Sequence, residues 1–388
     1  MRRTVTPLLV ALLTVGAAAA CGSPKQAASG GGALNVGIIY SQSGPLASYG
    51  QQYADGFKAG LAYATGGTGK VGDRKVNVTW ADDAGDPGKA VSAAKDLIGK
   101  GDKILAGSTA SGVALQVAPL AAQNRVLFIS GPAATDGITG VNKYTFRSGR
   151  QSYQDVLTAK AYLGNGKKVL VFAPDSAFGA SNVAAVKAVL TGATVTNIAV
   201  PAGATDFTPF ASQIKAAKPD LVFVAWAGTT AGAMWQALDQ QGVLSSTKVV
   251  TGLDIRSTWP TFGQAGSKLQ LIAHYFDGAA DNDAYRALKA AVPGGVTDLF
   301  HPDGFAAAQM IVHALQSSPD DVGKMVGSLE GYTFDSVKGS LTVRAEDHAL
   351  LQPMFQATLK AGGGTVTAQR TGVVSPSDAA PPAAAMKG

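Results

Sequence analysis

Residues 34–40 read LNVGIIY, residues 48–65 read SYGQQYADGFKAGLAYAT and residues 75–81 read KVNVTWA. A short β-branched run bounded by turn residues predicts a strand, and an alanine-rich stretch with apolar side chains three and four apart predicts a helix. Strand, crossover helix and second strand make a βαβ unit, whose two strands run parallel. Outward from this unit the same alternation repeats. Strands are predicted over Lys103–Ala106, Val126–Ser130, Lys168–Ala173, Thr194–Val200, Leu221–Trp226, Val249–Gly252 and Leu269–Phe276, with amphipathic helices between them. Two successive α/β arrays result.

Three segments read as crossings between the arrays: Tyr144–Ser148, Ala273–Asp277 and Thr342–Glu346. The second is read so because the helices Asp281–Ala291 and Asp303–Gln316 follow without new strands to cover. A last strand is expected over Gln352–Lys360. The expected organisation is a first lobe of residues 34–146 plus 277–343, a second of 147–276 plus 344–372, and a Pro/Ala-rich tail, residues 373–388, without fixed structure. The fold class is α/β: two Rossmann-like lobes with mainly parallel sheets, a three-segment hinge and a ligand cleft between the lobes.

The whole chain, 388 residues, is long enough for two or three domains. Its formal charge is +6, and removing Arg2 and Arg3 from the 32 basic residues against 26 acidic ones leaves +4. No basic tract or basic-aromatic stripe supports nucleic-acid binding. Past the N-terminal stretch no apolar run reaches the roughly 18 residues of a membrane helix, so a polytopic membrane protein is excluded. Residues 1–20 carry Arg2-Arg3, an apolar core around Leu8–Leu13 and a small-residue end, the pattern of a signal peptide. The sole cysteine, Cys21, follows at once. It cannot form an intramolecular disulfide or a multi-cysteine metal site. Residues 21–33 read as a flexible tether.

Motifs for chemistry fail on context. Gly67-Thr68-Gly69-Lys70-Val71-Gly72 matches G-x-G-x-x-G, but a helix precedes it and a strand follows, the reverse of what pyrophosphate binding requires. Neither G-x-x-x-x-G-K-[ST] nor G-x-S-x-G occurs. His274, His301, His313 and His348 lack metal-site spacing, and Asp82, Asp83 and Asp86 read as loop and capping residues ahead of Pro87. No catalytic residue, metal or cofactor is expected. What stands out is hydroxyl and glycine residues at strand-to-helix junctions: Ser41–Gly44, Gly107–Gly112, Ser130–Thr135 and Ala227–Thr230. Open α/β sheets bind ligands there, and helix N-termini suit a carboxylate.

Residues 36–50, opening VGII and closing SGPLASYG, together with DDAGDPGKAVSAAKDLI (82–98), GSTASGVALQVAPLA (107–121), ISGPAATD (129–136) and YTFRSGRQSYQD (144–155), resemble the leucine-binding-protein family in order along the chain. The likeness continues more thinly to VRAEDH (343–348). These are the solute receptors of ABC importers for branched-chain and hydrophobic amino acids, with two Rossmann-like lobes and three crossovers. The resemblance implies a small-molecule ligand, an amino acid, in the interlobe cleft, and a membrane permease as partner. Residue by residue it places Ser111 at the ligand carboxylate, Ala133 and Thr135 beside it, Asp254 at the ligand ammonium, and Tyr49, Phe178, Trp226 and Ala227 around the ligand. Departures are the additional Gly131, Phe178 and Ala227 in place of two tyrosines. Relatives with this pattern also serve amides, urea and aromatic acids, which keeps those ligands open. A secreted enzyme and a sensory lobe are the readings from other classes. Ala18-Ala19-Ala20-Cys21 resembles a bacterial lipobox, departing from it at Ala18, and implies lipidation of Cys21 and an anchor on the extracytoplasmic face of the membrane.

Overall fold

The computed structural model describes residues 1, 32–163, 168–362 and 365–387. The segments read as a signal peptide, from Arg2 on, and as a tether up to residue 31, with Cys21, lie outside these residues. From Ala33 onward the chain forms one unit, built on two sheets.

The first sheet takes β1 (Leu34–Tyr40), β2 (Lys70–Val71), β3 (Arg74–Asp82), β4 (Ile104–Gly107), β5 (Leu127–Ser130) and β6 (Thr145–Arg147), in the order β2-β3-β1-β4-β5-β6. All its pairs are parallel except the β2–β3 hairpin. Between these strands run α1 (Ala47–Ala64), α2 (Pro87–Gly99) and α3 (Ser111–Asn124). Side chains of β1 alternate as a strand demands. Val36 and Ile38 pack towards Tyr53 and Phe57 of α1, while Ile39 packs with Leu97 of α2 and Val113 of α3. Each such fully buried side chain is worth about 1.5–3 kcal/mol. Asp86 caps α2 by accepting from Lys89 N, with Pro87 at the first helical position.

The second lobe continues with α4 (Ser152–Leu163), β7 (Lys168–Pro174), α5 (Ala177–Val189), β8 (Thr194–Val200), α6 (Thr208–Ala217), β9 (Leu221–Val224), α7 (Ala231–Gln240), α8 (Val243–Ser246), β10 (Lys248–Gly252) and β11 (Gln270–Ala273). The chain then forms α9 (Asp283–Ala291), α10 (His301–Ser317) and α11 (Val322–Leu329), and a small antiparallel sheet of β12 (Thr333–Ser336), β13 (Gly339–Val343) and β14 (Leu350–Leu351). It closes with the hairpin β15 (Met354–Gly362) and β16 (Thr365–Val374), which completes the second sheet in the order β16-β15-β11-β10-β9-β7-β8. Helix α10 lies so close on α1 that a Cβ at Gly56 would run into the His301 carbonyl, and one at Gly304 into the Tyr53 carbonyl. Only glycine permits that approach.

Three features differ from the sequence reading. Residues 145–147, read as a crossing, form the sixth strand of the first sheet, so the chain leaves that sheet after Arg147. The third crossing, placed at Thr342–Glu346, falls instead between Leu351 and Met354, because β13 and β14 pair with each other. His348 holds the intervening loop beside β6, stacked on Phe146 at 3.7 Å and bonded to Thr145 O at 3.0 Å. Finally, the tail expected to lack structure is placed against the first lobe. Arg344 donates to Pro381 O, Ala384 N to Asp347 Oδ2 and Lys387 N to Gly140 O, and Ala379 is fully buried.

Candidate functional site

The parallel strands β1, β4, β5, β7, β9 and β10 all deliver their carboxyl ends to one cavity of about 340 Å³ between the lobes. From the first lobe come Leu46, Tyr49, Thr109, Ser111, Pro132 and Ala134. The second contributes Ser176, Phe178, Asn182, Trp226, Ala227 and Asp254; the crossings add Arg150 and His274, and the start of α10 adds Phe300.

Ser111 opens α3 after Ala110, which supplies no capping side chain. The first-turn N–H groups at Ser111 and Gly112 therefore line the cavity uncapped, a setting that favours an anion. Ser111 Oγ also accepts from Thr135 N at 3.2 Å. Across the cleft, Asp254 follows β10. Its Oδ1 accepts from the Tyr49 hydroxyl at 2.6 Å and from Ile255 N at 2.7 Å. Burial pushes the Asp254 carboxyl up to about 6 against those hydrogen bonds, and the leading influences on it include no cation. Burial and the Asp254 carboxylate raise the Tyr49 phenol, which keeps it a donor; its oxygen also accepts from Gly228 N at 3.0 Å. Aromatic rings cover the walls: Tyr49 lies 4.7 Å from Phe300, and Trp226 stacks on Phe172 at 5.3 Å.

Of the residues the resemblance assigns, Ser111, Asp254, Tyr49, Phe178, Trp226 and Ala227 line this cavity, whereas Ala133 and Thr135 do not. Their carbonyls accept from the two terminal nitrogens of the fully buried Arg147, at 2.8 and 2.9 Å. A buried guanidinium needs such acceptors, and satisfying it turns this part of the loop away from the cleft. Ala134 faces the cavity instead. Sequence reasoning missed Arg150, His274 and Phe300. Arg150 stood within the quoted stretch 144–155, where a cation beside a crossing was the available signal; His274 and Phe300 offered none.

Behind the cavity the crossings meet at buried charge. Asp303, at the start of α10, stands 3.8 Å from Lys338 Nζ and 3.7 Å from His274 Nε2. Its two oxygens make no hydrogen bond, and burial pushes its carboxyl up to about 6 and the Lys338 amine down to about 8. Burial, then Arg150 and Lys338, hold His274 well below its ordinary value, so it is neutral. Lys338 also bonds Gln352, which reaches Gln154 on α4. Among the described residues no three His, Cys, Asp or Glu side chains are grouped to hold a metal ion, and no helix is long and apolar enough to cross a membrane.

A cleft at the carboxyl ends of two parallel sheets, crossed three times by the chain, is the architecture of known solute receptors. A family model described as periplasmic binding protein matches residues 33–364. The chain is 27% identical over 336 residues to Leu/Ile/Val-binding protein homolog 3 of Brucella melitensis, covering 83% of this chain and 90% of that protein. It is 30% identical to the structure of an ABC-type branched-chain amino acid transporter from Rhodopseudomonas palustris CGA009, with a TM-score of 0.73 and coverage of 89% and 97%. A solute-binding protein of R. palustris in complex with 4-hydroxybenzoate shares the fold at a TM-score of 0.81 and 21% identity, covering 88% of this chain and 97% of that one. The chain belongs to the periplasmic binding protein family, the extracytoplasmic solute-binding proteins of ABC transporters.

Proposed function

We infer that this protein closes its lobes over a small amino acid with a hydrophobic side chain and delivers it to the permease of an ABC importer, performing no chemistry on it. The observation that carries the reading is Asp254, a half-buried carboxylate facing the cavity that forms no ion pair among the described residues. A ligand ammonium supplies the missing charge. The uncapped first turn of α3 at Ser111 supplies donors for the ligand carboxylate, and the Tyr49, Phe300, Phe178 and Trp226 rings surround an apolar body. Named relatives are Leu/Ile/Val-binding proteins, which supports an amino acid. A second reading, an aromatic acid, draws on those same rings and on Phe178 standing where leucine-type binders carry a tyrosine. Calorimetry with leucine, valine and phenylalanine beside their deaminated acids separates the two. Retained affinity on loss of the amine would overturn the amino-acid reading.

Anchoring through a lipid on Cys21 rests on the sequence alone. Its test is fractionation: Cys21→Ala should be exported yet released from membranes, and membrane association like the parent's would refute it.

A further inference from the structure

Arg150 brings into the cleft a charge that the family resemblance does not use. Its side chain is 12% exposed and lines the same cavity as Ser111, Asp254 and Phe300. Nη1 donates to Pro132 O at 2.9 Å, and the guanidinium lies over the Phe300 ring, 5.8 Å from its centroid. Nε stands 3.3 Å from Asp155 Oδ2 but is buried without a hydrogen bond, so this ion pair is loose. Nη2 has no hydrogen-bond partner among the described residues. One of the five donors of a rigid fork is therefore in use, while the carbonyl and the ring fix the plane of the group. A largely buried guanidinium with unused donors is costly, and the partner that best matches its planar fork is a carboxylate. His274 beside it is neutral and does not compete for that anion. Two acids line the cleft: Asp155, which meets Arg150 only at Nε and leaves both terminal nitrogens to other partners, and Asp254, which sits at the hydroxyl of Tyr49, the other member of the aromatic pair with Phe300.

We propose that Arg150 is the specificity-determining anchor for a carboxylate of the ligand, received on the unused donors of its guanidinium. The inference rests on the cleft being the ligand site. The carboxylate has two possible sources, the α-carboxylate shared with Ser111 or a second acid at the end of a side chain, and the donors it meets are the same.

Calorimetry on matched pairs tests it: leucine with leucinamide, glutamate with glutamine, and 4-hydroxybenzoate with 4-hydroxybenzamide. A hydrogen bond to a charged group is worth about 1.5–3 kcal/mol, so the parent should bind at least one acid roughly 10- to 150-fold tighter than its amide. In Arg150→Gln that ratio should fall to within about threefold, while Arg150→Lys, which keeps the charge, retains part of it. Collapse of the leucine ratio locates the α-carboxylate at Arg150; collapse of the glutamate ratio alone locates a second acid there. Collapse confined to the hydroxybenzoate pair, with no amino acid bound, upholds Arg150 and overturns the amino-acid reading. Because Arg150→Gln strands Asp155, the double variant Arg150→Gln/Asp155→Asn must show the same collapse with a parental Tm. An unchanged ratio in either variant, or a parent that prefers no acid of the panel to its amide, overturns the proposal.

Discussion

The hydroxyl of Tyr49, on α1 of the first lobe, donates to Asp254 Oδ1 of the second at 2.6 Å while accepting from Gly228 N at 3.0 Å. One phenol thus holds two groups of the opposite lobe, across 205 residues of chain. Two lobes joined by three crossings can hinge, and this contact exists only when they are together. Tyr49→Phe keeps the ring against Phe300 and removes both hydrogen bonds. With bonds to a charged group worth about 1.5–3 kcal/mol, ligand affinity should fall roughly 10- to 150-fold. The ligand-free protein should also show a larger radius of gyration in small-angle scattering. Parental values for both would mean that Tyr49 does not latch the lobes.

The pH dependence of binding follows from Asp254. Its carboxyl is raised from 3.8 to about 6, so the folded, ligand-free protein holds that proton more tightly than the unfolded chain does. The ionised form costs stability above about pH 6, and the cost is relieved as pH falls from 6 towards 3.8. Pairing with a ligand ammonium requires the ionised form. Amino-acid affinity should therefore hold from pH 8 to about 6.5 and weaken below 6 by up to about tenfold per unit. Asp303 titrates in the same window, and Asp254→Asn distinguishes the two. That variant should bind weakly at every pH with no slope; a slope that persists in it would assign the dependence to Asp303.

Asp303 and Lys338 should be coupled in stability. Their side chains are 0% and 1% exposed and stand 3.8 Å apart. Losing either partner leaves an uncompensated buried charge, at a cost of about 3–5 kcal/mol. Asp303→Asn combined with Lys338→Met removes both charges and should cost at least about 1 kcal/mol less than the two single changes added. Urea unfolding of the four proteins measures this. Strict additivity would show that Asp303 is balanced elsewhere, by Arg150 or Arg147.

The first βαβ unit was legible because Val36, Ile38 and Ile39 alternate between two buried faces, and a strand with both faces covered leaves an unbroken apolar run in sequence. Ser111, Tyr49 and Asp254 were legible from local context, a helix start or a strand end within a dispersed family pattern. Arg150, His274 and Phe300 were not. Arg150 and His274 come from different crossings and Phe300 from the start of α10, and they meet only when both lobes are assembled, so no local spacing encodes their proximity. Ala133 and Thr135 fall outside the cavity because the demand for their carbonyls comes from Arg147, at the end of the neighbouring strand β6. Composition misled most at the C-terminus, where Pro and Ala make a segment that lacks local structural preference yet docks through its backbone.

That tail carries the last prediction. Strand β16 ends at Val374 on the edge of the second sheet, and residues 375–387 then lie on loops of the first lobe. Arg344, braced by two bonds to Asp347, donates to Pro381 O at 2.7 Å. Ala384 N donates to Asp347 Oδ2 at 2.9 Å and Lys387 N to Gly140 O at 2.8 Å. The tail is thus a fourth link between the lobes, covalent at one end and hydrogen-bonded at the other. Proline fits this use, since it extends the backbone, lacks an N–H to satisfy and loses little entropy on docking. With a second bond from Arg344, to Pro382 O at 3.3 Å, truncation after Val374 removes four such bonds, each worth about 0.5–1.5 kcal/mol, together with the buried Ala379. An unfolding entropy of about 2.1 cal/mol/K per residue makes roughly 1.3 °C per kcal/mol for a chain of this size, so Tm should fall by about 3–8 °C. If the tail also limits lobe separation, the truncated ligand-free protein should have a larger radius of gyration and release ligand faster in stopped-flow measurements. Arg344→Ala should move every quantity in the same direction by less. A truncated protein with a lower Tm but an unchanged radius and off-rate would reduce the tail to a clamp on the first lobe; an unchanged Tm would show that it does not dock in solution.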